Sequence, residues 1–223
     1  MTLLAAFRLA LQDLRAPEAR RVLWRSVGLS VAVFGVLAVG VQAGIGALTG
    51  DQAGWIRTLL DILGGLATLA VVWIVFPSVA TFFAGAMLDG LVGGVEQRHY
   101  PRQDATGSSW SESLAASARF ALVAIALNLV LLPMYIGLLF VPPLAPVAFF
   151  SVNGYLLCRE YFELVALRHL DPRALAALRK QHGGRLFLAG VILALLFAVP
   201  VVNLFAPVLG AAAMVHVFHG LKR

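Results

Sequence analysis

Arg20 and Arg21 stand side by side shortly after Pro17, with Arg15 before them and Arg25 about one helical turn on. An apolar run follows directly. A helix N-terminus carries unpaired N–H groups and the positive end of its dipole, and a guanidinium fork matches oxyanion geometry. Arg20, Arg21 and Arg25 are therefore candidate residues for holding an oxyanion at the mouth of a membrane. The competing reading is a positive anchor on lipid phosphates, and from these residues alone it ranks higher.

Other polar residues sit in apolar surroundings. Asp61 and Asp89 are carboxylates in greasy stretches, where they are costly and mark pathways or ion pairs. Asp61 is read as lying at the outer interface. Asp89, Glu96 and His99 fall at offsets of seven and ten, roughly one helical face. A metal or proton relay is conceivable there; a solvated face, or a pair with Arg98, ranks above it. Arg159 and Glu163 are four apart beside Glu160, so a surface ion pair ranks above a lining to an ion path. Asn128, Asn153 and Asn203 need hydrogen-bond partners, and Asn203 is the best placed to touch a substrate. Asn203, Arg159, Glu160 and Asp89 make up the candidate pathway. His216 and His219 share a face, but two histidines without a carboxylate are a weak metal signal. Interfacial packing is expected for them, and no metal ligands are assigned. No nucleophile elbow, Gly-rich phosphate loop or HExxH is present, so neither a catalytic residue nor a cofactor is implied.

The elements that must position these residues belong to a membrane. The chain is 61% hydrophobic and 13% charged, against about 25% charged in ordinary globular proteins. Its mean hydropathy is +0.89. An all-α integral membrane protein is expected, with residues 1–223 forming one membrane domain. One cysteine, Cys158, excludes an internal disulfide framework. The net charge of +6 comes without an aromatic-basic RNA motif, so nucleic acid is not an expected partner.

Met1 to Ala16 lacks the basic start of a cleavable signal, and Asp13 interrupts it. Leu4, Phe7, Leu11 and Leu14 recur at helical spacing opposite Arg8, Gln12 and Arg15. That predicts a short amphipathic helix on the membrane surface or on the protein, ended by Pro17. Ser26 to Thr49 is a 24-residue apolar run, enough to cross a core of roughly 30 Å. A second transmembrane helix is expected from about Leu59 to Phe76, kinked around Pro77 and continuing to Glu96. Glu96 to Ser113 reads as a solvent-exposed loop. A helix over Arg173 to Gln181 is expected after the Asp171-Pro172 break, with Pro172 in its first turn.

Two apolar hairpins remain, Phe120–Leu157 and Leu186–Val217, each with prolines and no charge at its tip. Fourteen residues lie between Arg185 and Pro200 and eleven between Pro207 and His219, about 21 and 17 Å of helix. Neither arm of this second hairpin reaches across, so it is expected to be half-inserted, or re-entrant; the first is longer on its rising arm, and the same form is expected there from its apolar, proline-bearing tip. With only two full spans, 16 of the 17 basic residues fall on one side, the cytoplasm by the positive-inside rule.

Several segments carry a family resemblance. Leu14 to Leu23, with its paired arginines ahead of a span, resembles the N-terminal motif of the CysZ-type sulfate permeases, relatives of the etoposide-induced membrane proteins. Met87-Leu88-Asp89-Gly90 through Val95-Glu96 to Tyr100-Pro101 is similar to that family's segment after the second span. Asn153-Gly154-Tyr155-Leu156 with Arg159-Glu160-Tyr161 is similar to its central helix, and Pro200 to Pro207 to its last hairpin tip. The chain departs where the family has Gly-Leu before the arginines: here stand Glu18-Ala19.

The resemblance implies two transmembrane helices plus two half-inserted hairpins and amphipathic helices. It also implies a homo-oligomer in the bacterial inner membrane, multi-pass with cytoplasmic termini, importing sulfate for cysteine synthesis. The expected partners are sulfate or a related oxyanion and the lipid bilayer, and conduction is expected to be channel-like. A non-transporting membrane scaffold, or a permease for a different anion, is the alternative.

Overall fold

The structure is a computed structural model. It describes residues 1–49, 54–55, 58–59, 62–66, 76, 79–80, 83–84, 87–101, 122, 126–127, 129–134, 136–138, 140–141 and 143–222. Asp61, Arg57, Pro77, Asn128, Pro142 and most of the expected 96–113 loop lie outside them, as does most of the second span. All regular elements among the described residues are helices: α1 (Leu3–Asp13), α2 (Pro17–Thr49), α3 (Leu88–His99), α4 (Leu144–Ala166), α5 (Pro172–Gln181), α6 (Gly183–Ala198), α7 (Pro200–Asn203) and α8 (Ala206–Leu221).

The helix α2 runs 33 residues, about 50 Å, because Pro17 pre-sets the first turn and nothing breaks the apolar run behind it. Its stretch Pro17–Gly44 is long and apolar enough to cross a membrane, and only 22% of its most apolar window is buried. Ala19, Val22, Ser26, Ser30 and Phe34 form its buried stripe. The hydroxyls of Ser26 and Ser30 donate back to the carbonyls of Leu23 and Ser26, at 2.9 and 2.8 Å, so neither is left bare. Val31, Leu37 and Val39 on the remaining surface are exposed, as suits lipid or a partner rather than water.

The centre of the fold is α8. Every residue from Ala206 to His219 is buried, and α1, α3 and α4 pack around it. Small residues allow this. On α1, Ala6 and Ala10 are fully buried against the core with Asp13. Of the expected Leu4–Phe7–Leu11–Leu14 stripe, Leu4 and Leu11 are 82% and 55% exposed, while Phe7 and Leu14 flank the core, so the side of α1 that meets the protein is the alanine one. Alanines let the helices close in far enough for Asp13 to reach α8, which leucines at those positions would prevent.

A second close contact joins α4 to α6. A Cβ on Gly190 would collide with the Gly154 carbonyl oxygen, and one on Gly154 would sit 2.7 Å from Val191 Cγ2. Backbone therefore lies against backbone, as small residues permit between membrane helices.

The Asp171 carboxylate accepts from the N–H groups of Arg173 and Ala174, both at 2.8 Å, capping α5 with Pro172 in its first turn as expected. The axes of α5 and α6 differ by 87°. The last hairpin departs from a simple two-arm form, since α7 breaks its tip between Val199 and Leu204. The expected continuous helix to Glu96 is also interrupted: Met87, at φ −108° and ψ 2°, leaves the helical region before α3 begins.

Candidate functional site

Two carboxylate–histidine clusters lie at one end of α8. In the first, Asp13 Oδ2 is 2.8 Å from His216 Nε2, and Asp13 Oδ1 is 2.9 Å from His99 Nε2. Arg98 donates to the same Oδ1 at 3.1 Å. The Tyr100 hydroxyl meets the other ring nitrogen of His216 at 3.0 Å. Burial by itself would raise the Asp13 carboxyl's pKa, but the hydrogen bonds from His216 and His99 outweigh it and hold it below the usual carboxylate value.

In the second, Glu96 Oε1 is 2.6 Å from His169 Nε2, and Arg168 Nε donates to Glu96 Oε2 at 3.2 Å. His219 Nε2 stands 3.7 Å from Glu96 Oε1, too far for a hydrogen bond. Burial raises the Glu96 carboxyl, yet His219, His169 and Arg168 bring it down to about 2. The His219 ring stacks on Tyr100 at 4.0 Å between centroids.

These clusters correct the expectations for Glu96, His99, His216 and His219. Glu96 does not share a solvated face with Asp89; it is buried, whereas Asp89 is exposed in the first turn of α3. Arg98 pairs with Asp13 and with Glu18, the latter at 2.6 Å. His216 and His219 are fully buried and face carboxylates, so packing at a membrane interface does not describe them. The sequence reading missed Asp13, Arg168 and His169 as their partners. One signal was available: a carboxylate and two histidines in apolar helices each need a buried partner.

Arg20, Arg21 and Arg25 occupy the start of α2, exposed, and none makes a hydrogen bond or salt bridge with another described residue. The charge of Arg21 is close enough to act on Glu18. Glu18 turns back towards its own backbone N–H and lies against Gly94, where an added Cβ would come 2.7 Å from its Cγ. The residue that departs from the resembled motif therefore occupies part of the helix N-terminus and engages Arg98 on α3.

The pathway candidates do not converge. Arg159 is buried in α4, with Nε 3.0 Å from Glu163 Oε1, which also accepts from Arg179 at 2.7 Å. The expected surface ion pair is thus a part-buried, three-membered one, with Arg159 its most buried member. Glu160 is exposed, and Asn203 is half-buried in α7 at the far end of the last hairpin. Asn153 donates to the Phe149 carbonyl of its own helix at 2.8 Å. A cavity of about 280 Å³ is lined by Tyr155, Cys158, Arg159, Arg179, Lys180 and Phe187, among others. Arg159, Arg179 and Lys180 give its wall three positive charges, and the first two of them also pair with Glu163.

A family model described as sulfate transporter CysZ/etoposide-induced protein 2.4 matches residues 6–207. No curated protein matches the chain.

Proposed function

The chain belongs to the sulfate transporter CysZ/etoposide-induced protein 2.4 family, and on that premise we propose that it is a permease for sulfate or a closely related oxyanion. It acts in the bacterial inner membrane as a homo-oligomer and supplies sulfate for cysteine synthesis. The observation that carries this reading is the row of three exposed arginines, Arg20, Arg21 and Arg25, opening the long apolar helix α2 without a hydrogen bond or salt bridge to a described residue. By contrast Arg98, Arg159, Arg168 and Arg179 are all spent on carboxylates. Guanidiniums left unpaired at the end of a spanning helix can draw a dianion from water and replace part of its hydration.

In this reading α2 spans the bilayer with its arginines in the cytoplasm, and the polar end of α8 lies on the same side. The last hairpin is half-inserted. Its arms α6 and α8 are 16 residues each, about 24 Å, and its tip exposes Val199, Val201 and Phe205. The turn before α4 is equally apolar, with Phe140 85% exposed. Conduction is channel-like.

Labelled sulfate flux into proteoliposomes tests the proposal. Replacing Arg20, Arg21 and Arg25 together by alanine lowers flux about tenfold or more, the size of one or two lost charge-assisted bonds. Full flux in that folded variant overturns the site. Flux of another oxyanion in place of sulfate reassigns the substrate. No flux of any anion from folded wild-type protein overturns transport and leaves a scaffold.

A further inference from the structure

We propose that Glu96, His169 and His219 form a binding site for a divalent transition-metal ion, zinc being the best match to its ligands. The two carboxylate–histidine clusters differ in one respect that decides the matter. Around Asp13 each polar group already has its partner: Arg98 and His99 on Oδ1, His216 on Oδ2, and Tyr100 on the far nitrogen of His216. Around Glu96 one ring is left over. His219 is 0% exposed, and neither of its nitrogens has a hydrogen-bond partner. A neutral imidazole carries one donor and one acceptor, so burying both unmet is rare without a reason.

A metal ion supplies that reason. The donor atoms of Glu96, His169 and His219 all lie within 4.8 Å of one another. Two imidazoles and one carboxylate with a fourth position open are a recognised zinc ligand set, with bonds of about 2.0–2.2 Å. Those lengths put neighbouring ligand atoms of a tetrahedron roughly 3.3 Å apart. The 3.7 Å between Glu96 Oε1 and His219 Nε2 is already close to that, and the 2.6 Å to His169 Nε2 needs to open by less than 1 Å. Arg168 holds the other carboxylate oxygen, leaving Oε1 turned to the two rings, as outer partners orient metal ligands. Tyr100 and His169 fix the His219 ring by stacking and edge contact.

The three ligands come from α3, from the turn after α4 and from α8, so the ion would tie together three segments distant in sequence. This reading does not depend on transport.

The test is metal analysis of the untagged full-length protein in detergent, after dialysis against zinc or cobalt. One ion per chain is expected, with a cobalt absorption spectrum and X-ray absorption fitting two imidazoles and oxygen. His219→Gln and Glu96→Gln each weaken binding by more than about 100-fold, as loss of a direct ligand exceeds the 10–100-fold typical of outer partners. Asp13→Asn leaves stoichiometry unchanged. Folded wild-type protein that takes up no ion overturns the site. So does binding that survives His219→Gln, or that is lost in Asp13→Asn instead. Should a variant not fold, the wild-type spectrum decides alone, since a shell without two imidazoles also overturns it.

Discussion

Asp13, the last residue of α1, is 2.8 Å from His216 on α8, across 203 residues of chain, and both are buried. The pair joins the first helix to the central one, and Arg98, His99 and Tyr100 complete it from α3 and its end. Asp13→Ala leaves His216 facing an empty, buried space. A loss of about 3 kcal/mol is expected, measured as a lowered midpoint of thermal unfolding in detergent. A loss below half that would show that water replaces the carboxylate.

The same carboxylate gives an acid dependence. Its folded pKa lies below the ordinary value of 3.8. Its stabilising contribution is therefore present in full above the unfolded pKa and disappears as pH falls through the folded one. The gap in unfolding midpoint between wild type and Asp13→Asn should close as pH falls below about 4. Arg98, His99 and His216 are the charged or titratable groups facing Asp13. A gap that stays open at the acid end of the titration, with the fold intact, would contradict the arrangement.

Gly190→Ala is expected to be costly, since the new methyl lands on the Gly154 carbonyl, which belongs to a helix backbone and cannot step aside. Forced overpacking of this kind costs about 1–3 kcal/mol. Gly35→Ala, with nothing within 4 Å of its added Cβ, is the control that should unfold like wild type.

Glu163→Gln distinguishes a buried ion pair from a surface one. An exposed pair contributes about 0–1 kcal/mol, but Arg159 is 9% exposed in its side chain and would lose its charge partner. About 2–3 kcal/mol is expected. A double-mutant cycle with Arg179→Ala should show coupling, because both guanidiniums share Glu163 Oε1.

Glu18→Gln removes a negative charge from beside the candidate anion residues and releases Arg98 from it. In water-like surroundings a unit charge a few ångströms away is worth about 1 kcal/mol or less. Sulfate KM in proteoliposomes should fall roughly two- to fivefold at low salt and less at high salt. An unchanged KM would separate Glu18 from the substrate route.

The helices were easy to read where local chemistry fixes them. Pro17 starts α2, Asp171 with Pro172 starts α5, and the greasy run after Ser26 continues without interruption. The burial of α8 was not readable in this way. Its residues are as apolar as those of α2, and periodicity cannot say whether such a helix meets lipid or protein. The polar head failed for a related reason. Glu96, His169 and His219 come from three distant segments, so spacing along one helix shows only Glu96 with Asp89, and in the fold those two part company. On α1, leucine spacing marked an apolar face but did not show that the side packed on the protein would be the alanine one, because close approach favoured the smaller residues.

The position of α8 has a consequence for biosynthesis. At about 5–20 residues per second, some 10–40 s separate the synthesis of Asp13 from that of His216. Throughout that interval the emerging N-terminal helix holds a carboxylate whose eventual site has not been made. The polar knot can close only after the central helix has left the ribosome.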